Sequence, residues 1–200
     1  MKKSLILLTL VSFFCIFQSS AQDKTQKKIT VCVSEDEMKL YELIMEYRKE
    51  KGLPEIPLSK SLTYVARLHA KDVENNRPKV GCNMHSWSDD GKGLWDYCCY
   101  PSNHKNATCM WEKPRQLTNY PGDGFEIAHG GRDGYISTPE LALKGWKNSS
   151  GHNAVIINEG KWESKKWQAI GVGIYKGFAM VWFGLEPDPE QGKPDICKKK

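Results

Sequence analysis

Three short segments of this 200-residue chain each carry one side chain that can bind a metal ion or move a proton. They contain His85, Glu126 and His152, and each is flanked by residues typical of turns or helix starts. Two imidazoles and one carboxylate suffice for a Zn²⁺ centre that keeps coordination positions open for water. Glu126 then has two available roles, as a third ligand or as the general base that accepts a proton from metal-bound water. The alternative is a structural role without a metal, in which both histidines form hydrogen bonds to Glu126 and hold the sheet to a helix. Because the chain has five histidines, the spacing alone does not establish such a site.

The position of His152 favours a metal ligand over a partner of a catalytic serine. Ser149 and Ser150 precede it and are predicted to cap a short helix. The positive end of the helix dipole then keeps the imidazole neutral, which is the form that binds a metal. A serine two residues before a histidine is out of its reach, and the chain has no Gly-x-Ser-x-Gly turn. A Ser-His hydrolase is therefore not favoured.

Apolar periodicity predicts two amphipathic helices ahead of these segments. The first covers residues 35–51 and has Ser34 as its N-cap. The second follows Ser59, and its apolar stripe has the spacing i, i+3, i+4, i+7 and i+11, comprising Leu62, Val65, Ala66, His69 and Val73. Since His69 lies on this stripe, it is predicted to be a core histidine whose hydrogen bonds are satisfied.

The C-terminal part of the chain predicts a further helix and a β-hairpin. Thr138 caps a helix that runs to about Lys147. Residues 169–175 and 178–183 are apolar runs on either side of a Lys-Gly turn, which is typical of antiparallel strands. The first run has small residues on one face, which indicates that a helix or another backbone packs closely against it.

The N-terminus predicts export. Lys2 and Lys3 precede an apolar run over residues 5–17 and then small residues, the pattern of a secretory signal peptide cleaved after Ala21. The apolar run is shorter than the roughly 20 residues that a membrane-spanning helix needs. The protein is therefore not expected to be an integral membrane protein, and its predicted location is secreted or periplasmic.

The six cysteines after the predicted cleavage site indicate disulfides. The adjacent Cys98 and Cys99 are expected to bridge to separate partners, and Cys32 and Cys197 to join the two ends of the domain. The alternative is a structural zinc held by Cys82, Cys98, Cys99 and Cys109. It is less favoured because the spacing lacks paired C-x-x-C knuckles.

Residues 75–120 lose all regular periodicity and hold four of these cysteines, so they predict an irregular loop stapled by disulfides. The same stretch contains Trp87, Trp95 and Trp111. These rings either stack on sugars or sterols, or bury against the rest of the domain.

The charge distribution argues against nucleic-acid binding. The formal net charge is +5, and it falls to +3 once two lysines of the signal peptide are removed. Residues 22–28 and 198–200 carry all of the remaining excess, which leaves the folded middle slightly acidic. A basic face is therefore not expected.

The order of the motifs resembles the CAP superfamily, which comprises cysteine-rich secretory proteins, insect venom antigens, plant pathogenesis-related proteins and many bacterial (SCP-like) relatives. The resemblance covers residues 35–184 and is carried by these pieces: Glu42–Gly52 with Pro54, Leu62-x-x-Val-Ala-Arg-x-His-Ala, Met84-His85-Ser86, Gly124-x-Glu126-Ile127, Ala142-x-x-Gly-Trp146, Ser150-Gly-His152 and Gly171-Val-Gly173.

The resemblance implies an α+β fold, a three-layer α-β-α sandwich with a central antiparallel sheet. Together with the residue patterns at the two ends, it divides the chain into a signal peptide (1–21), a linker (22–34), a CAP domain (35–186) with a Cys/Trp-rich insertion (88–122), and a polar tail (187–200). It also implies a cleft lined by two histidines and two acidic residues. His85, Glu126 and His152 match three of these, but Ser149 stands where members with the full tetrad have a second glutamate.

The function implied is an exported binding or interaction module whose cleft holds a divalent metal, with zinc as the candidate ion. Its partner would be an extracellular lipid, glycan or protein, and an enzymatic role is less favoured. The alternatives are a Zn-dependent hydrolase, with His85 and His152 as ligands and Glu126 as general base, and a glycan- or cell-wall-binding protein.

Overall fold

The structure is a computed structural model that describes residues 29–198. The predicted signal peptide (1–21) and residues 22–28 of the predicted linker lie outside this range. The helices are α1 (Glu35–Glu50), α2 (Lys60–Asn75), α3 (Ala107–Trp111), α4 (Lys113–Leu117), α5 (Pro139–Lys147) and α6 (Ser150–Ile156). The strands are β1 (Cys32–Val33), β2 (Gly124–Gly130), β3 (Ala169–Tyr175), β4 (Phe178–Gly184) and β5 (Asp195–Ile196).

Three antiparallel strands in the order β2-β4-β3 form the central layer of a three-layer α-β-α sandwich, as expected from the resemblance. Because successive strand residues point to opposite faces, the sheet has two apolar surfaces. Ile127, Val172 and Val181 belong to the core shared with α1, α5 and α6. Met180 and Trp182 belong to the core shared with α2. None of the helices in residues 29–198 is long and apolar enough to cross a membrane.

The small face of β3 allows α2 to lie directly on the sheet. A Cβ on Gly171 would stand 2.0 Å from the carbonyl carbon of Leu62, and one on Gly173 would stand 2.5 Å from that of Ala66. No side chain fits at these distances, so glycine is required at both positions. The prediction that a helix covers this face is confirmed.

The predicted helices and the hairpin agree with the structure to within about a residue at each end. The predicted N-cap of α1 is part of a capping box, in which Ser34 and Glu37 bond each other's backbone N–H. The sequence missed β2, α3 and α4. The two helices have five residues each, too few for a period to emerge, and glycines at both ends of β2 hide its alternation.

Three disulfides join Cys32 to Cys197, Cys82 to Cys99 and Cys98 to Cys109. Both predictions about the pairing are confirmed. The alternative of a structural zinc site was wrong, because all four of its cysteines form disulfides and have no free thiolate to bind a metal. The segment predicted as a polar tail is tied to the domain by the Cys197 bridge and by the pairing of β5 with β1. Asp188 also accepts hydrogen bonds from Ser59 and Ser61 at the start of α2.

Candidate functional site

Glu126 lies on β2 with its side chain buried between two histidines. Its Oε2 is hydrogen-bonded to Nδ1 of His69 on α2, and its Oε1 accepts a hydrogen bond of 2.8 Å from Nδ1 of His85. The Glu126 and His69 side chains are inaccessible to solvent, whereas that of His85 is 17% exposed. One carboxylate thus connects a core histidine to a histidine at the surface.

His69 is the cationic partner of this carboxylate. Its Nε2 donates a hydrogen bond of 3.0 Å to the carbonyl of Ser86, so both ring nitrogens carry protons when Nδ1 also donates to Glu126. Burial alone would lower the pKa of His69, but the charge of Glu126 and its hydrogen bond outweigh burial and raise it. The ring also stacks on Trp87, with centroids 4.3 Å apart, which favours the cation further.

The reciprocal effect holds Glu126 in its ionised form. Burial alone would raise the pKa of Glu126, but the charge and hydrogen bond of His69 lower it, and the hydrogen bond from His85 adds to this. Glu126 and His69 therefore form a buried, charged pair.

The ion pair predicts that stability has a maximum at mildly acid pH. The raised pKa of His69 gives stability that is complete below its unfolded pKa of about 6.5 and is lost as the pH rises through the folded pKa. The lowered pKa of Glu126 gives stability that is complete above its unfolded pKa of about 4.3 and is lost on acidification. Urea unfolding of the wild type between pH 3 and 8.5 is therefore expected to show its highest free energy at about pH 4.3–6.5. In Glu126→Gln the decline above pH 6.5 should disappear, and its persistence there would contradict the assignment.

The hydrogen bond to Glu126 also fixes the tautomer of His85. A carboxylate only accepts, so Nδ1 of His85 carries a proton, and Nε2 is the ring nitrogen that can present a lone pair. Nε2 has no hydrogen-bond partner among the described residues. The lone pair is thus available to a ligand.

His152, in the first turn of α6, is the second imidazole of the site. Its ring centroid lies 6.3 Å from that of His85. Burial lowers the pKa of His152, and the nearby His85 lowers it further, so the ring is neutral at neutral pH. Within residues 29–198 its ring nitrogens make no hydrogen bond. Two imidazoles, each with an available ring nitrogen, therefore lie side by side.

Both rings line a cleft of about 440 Å³ between α3 and α6. Its other lining residues include Tyr100 and Met110 on one side, and Gly151 with the loop around Trp162 on the other. Aromatic rings line one end: Phe125 contacts Trp111 and Trp162 at centroid distances of 5.5 and 5.1 Å. The cleft combines polar ring nitrogens with an aromatic surface, which is typical of ligand pockets.

Comparison with known proteins identifies the domain that carries this cleft. Residues 41–178, more than half of the chain, match the family model described as the cysteine-rich secretory protein (CAP) family. This chain belongs to the CAP family. The match includes all three residues predicted for the cleft and the helix that supplies His69.

Two solved bacterial structures are similar to this CAP chain in fold. One is an extracellular protein containing an SCP domain from Bacillus anthracis, with 21% identity, a TM-score of 0.50 and 76% of this chain covered. The other is an outer surface protein from Borrelia burgdorferi, with 18% identity, a TM-score of 0.50, and 77% of this chain and 95% of that one covered. The match spans only 40% of the Bacillus protein. No curated protein sequence matches the chain significantly.

The structure of the CAP domain brings His85, Glu126 and His152 together around one cleft. It adds His69, which sequence reasoning placed in the core without assigning it a partner. The apolar stripe of α2 indicated its burial, but only the position of β2 shows that Glu126 faces it. Of the three tryptophans in the Cys-rich stretch, only Trp111 lines the cleft. Trp87 packs on His69, and Trp95 donates its ring N–H to the carbonyl of Ser88.

Of the three predicted zinc ligands, the two histidines are placed to bind a metal ion and the glutamate is not. No group of three or more His, Cys, Asp or Glu side chains within residues 29–198 is arranged to hold one. Glu126 does not fit as a ligand, because its side chain is inaccessible to solvent and each of its oxygens already accepts a hydrogen bond from a histidine. His85 and His152 do fit: two imidazoles on one zinc have ring centres roughly 5–6 Å apart, given Zn–N bonds of about 2.0–2.1 Å. The observed separation is close to this range.

Proposed function

We propose that this CAP protein is an extracellular binding module whose ligand occupies the cleft, with His85 and His152 as the polar groups that hold it. The observation that carries the proposal is the complete use of the Glu126 carboxylate in orienting imidazoles. This leaves two imidazoles, each with an available ring nitrogen, at the edge of an aromatic pocket. Three disulfides support export, since such bonds persist outside the reducing cytosol.

A divalent metal, zinc above all, is the ion that these two rings would hold. His85 donates from Nδ1 to a carboxylate, the arrangement by which proteins fix the tautomer of a metal-binding histidine. Glu126 thereby changes from the predicted ligand to a positioning residue. When bound, the ion would supply a Lewis acid for an oxygen of the ligand.

The hydrolase alternative has less support because Glu126 is a poor general base. A base needs a free lone pair near the reacting water and a pKa near the working pH. Both Glu126 oxygens are already engaged, its side chain is inaccessible, and its pKa is lowered. A water molecule in the cleft would have to reach a buried carboxylate that already accepts two hydrogen bonds from histidines.

Zinc titration of the purified protein tests this role. His85→Ala and His152→Ala are each expected to weaken zinc binding by at least tenfold, because each removes one of two ligands. Glu126→Gln should weaken it about 10–100-fold through loss of orientation. His129→Ala is the matched control, since His129 is half-buried on the same strand but does not line the cleft. Equal affinities in all five proteins, measured by calorimetry, would remove zinc from the proposal.

A further inference from the structure

The strand that carries Glu126 has a free edge. β2 is an outer strand of the three-stranded sheet, and its register pairs Gly124–Gly130 with Phe178–Gly184 of β4. Continuing this register, Gly131 donates to the carbonyl of Gly177, which lies directly opposite. In an antiparallel ladder, hydrogen-bonded residue pairs alternate with pairs that are not hydrogen-bonded. The odd-numbered residues of β2 therefore form the backbone hydrogen bonds to β4. The N–H and C=O groups of Glu126 and Ala128 therefore point away from the sheet, and no described residue bonds to them.

This free edge forms part of the cleft. Phe125 and Glu126 both line the cavity, but the Glu126 side chain is inaccessible to solvent, so it is the backbone of Glu126 that faces the cavity. β4 occupies one edge of β2, so the cleft lies along the other.

The edge lacks three of the devices that usually prevent strand addition, although β2 carries one inward-pointing charge, Glu126. β2 contains no proline and no lysine, and its ladder with β4 has no bulge. The protection comes instead from the walls of the cleft, α3 on one side and the start of α6 on the other. These walls obstruct the approach of a second sheet and leave a cavity of about 440 Å³ between them.

We propose that the ligand of the cleft is an extended peptide segment that adds to the free edge of β2 as a fourth strand. The inference rests on the proposed binding function and names the class of its ligand. On the outer edge of β2, the backbone groups of Glu126, which lines the cleft, and of Ala128, which lies just beyond the cleft lining, supply two donors and two acceptors for the main chain of the peptide. Successive side chains of the peptide alternate between two walls: one faces His85, and the next faces the cluster of Phe125, Trp111 and Trp162. An apolar side chain is therefore favoured at every position that faces the cluster.

The test starts from a phage-displayed library of random heptapeptides panned against the wild-type protein. Enriched sequences are synthesised, and amide hydrogen exchange of the protein is followed by NMR with and without each peptide. The amides of Glu126 and Ala128 are expected to exchange at least tenfold more slowly with peptide bound. The amides of Ile127 and His129 are internal controls on the same strand and should change little, because they already bond to β4. Absence of enriched peptides, or binding without this alternating pattern, overturns the proposal.

Two further measurements test the same binding mode, one with modified peptides and one with a variant protein. N-methylation of every second amide of a bound peptide should abolish its affinity, whereas methylation of the intervening amides should leave most of it. Gly151→Phe should weaken peptide affinity at least tenfold, because Gly151 lines the cleft and the new ring would occupy space there. The substitution should cost the fold little, because a Cβ at Gly151 meets no atom within 4 Å. Chito-oligosaccharides are tested alongside, and a cleft that binds them but no peptide would overturn the inference. The zinc titration is separate, so failure here leaves its result standing.

Discussion

Glu126→Ala is expected to lower the free energy of unfolding by about 3–5 kcal/mol. The substitution removes the carboxylate that accepts from both His69 and His85. His69 has no access to solvent, so it must lose its proton or remain as an unpaired buried charge. Urea unfolding at pH 5.5, followed by tryptophan fluorescence, measures the change.

Glu159→Ala is the matched control for this result. Glu159 lines the same cleft but is exposed, so its loss should change stability by no more than about 0.5 kcal/mol. Replacing both members of the buried pair, as in His69→Leu with Glu126→Leu, should recover much of the loss, because the desolvation of two charges disappears with them. A Glu126→Ala protein as stable as the Glu159→Ala protein would show that the pair is not charged.

Replacing Cys32 and Cys197 together by alanine should cost about 4–5 kcal/mol of stability. The bridge joins residues 165 positions apart, so it restricts almost the whole unfolded chain. The loss of this restriction raises the entropy of the unfolded state. The pairing of β1 with β5 stands beside the bridge and should weaken with it. Equilibrium unfolding under non-reducing conditions measures the effect.

The bridge between Cys82 and Cys99 provides the comparison, since it closes a loop of only 17 positions and both cysteines are partly exposed. Its replacement by two alanines should cost about 3 kcal/mol in the chain-entropy account. A larger loss from the shorter bridge than from the longer one would mean that native contacts, and not loop length, determine the contribution of these disulfides.

Much of the fold could be predicted because its signals are local. The apolar stripe of α2 has a 3.6-residue period over four turns, and the β3–β4 hairpin alternates on both sides of a two-residue turn. The small face of β3 indicated a closely packed neighbour before α2 was placed there. β2 could not be found in the same way. Its seven residues begin and end with glycine, and pairing with β4 keeps them extended.

For the site, the sequence determined which side chains are present, and through the CAP resemblance it determined that residues 85, 126 and 152 share a cleft. Their roles were decided only by the tertiary structure. Whether Glu126 binds an ion, accepts a proton or holds a histidine depends on what surrounds its two oxygens, and His69 lies 57 residues earlier on another layer of the fold. The free edge of β2 depends likewise on strand order. Hydrogen-bond partners and burial set the charge of each group, and both arise only when distant segments pack together.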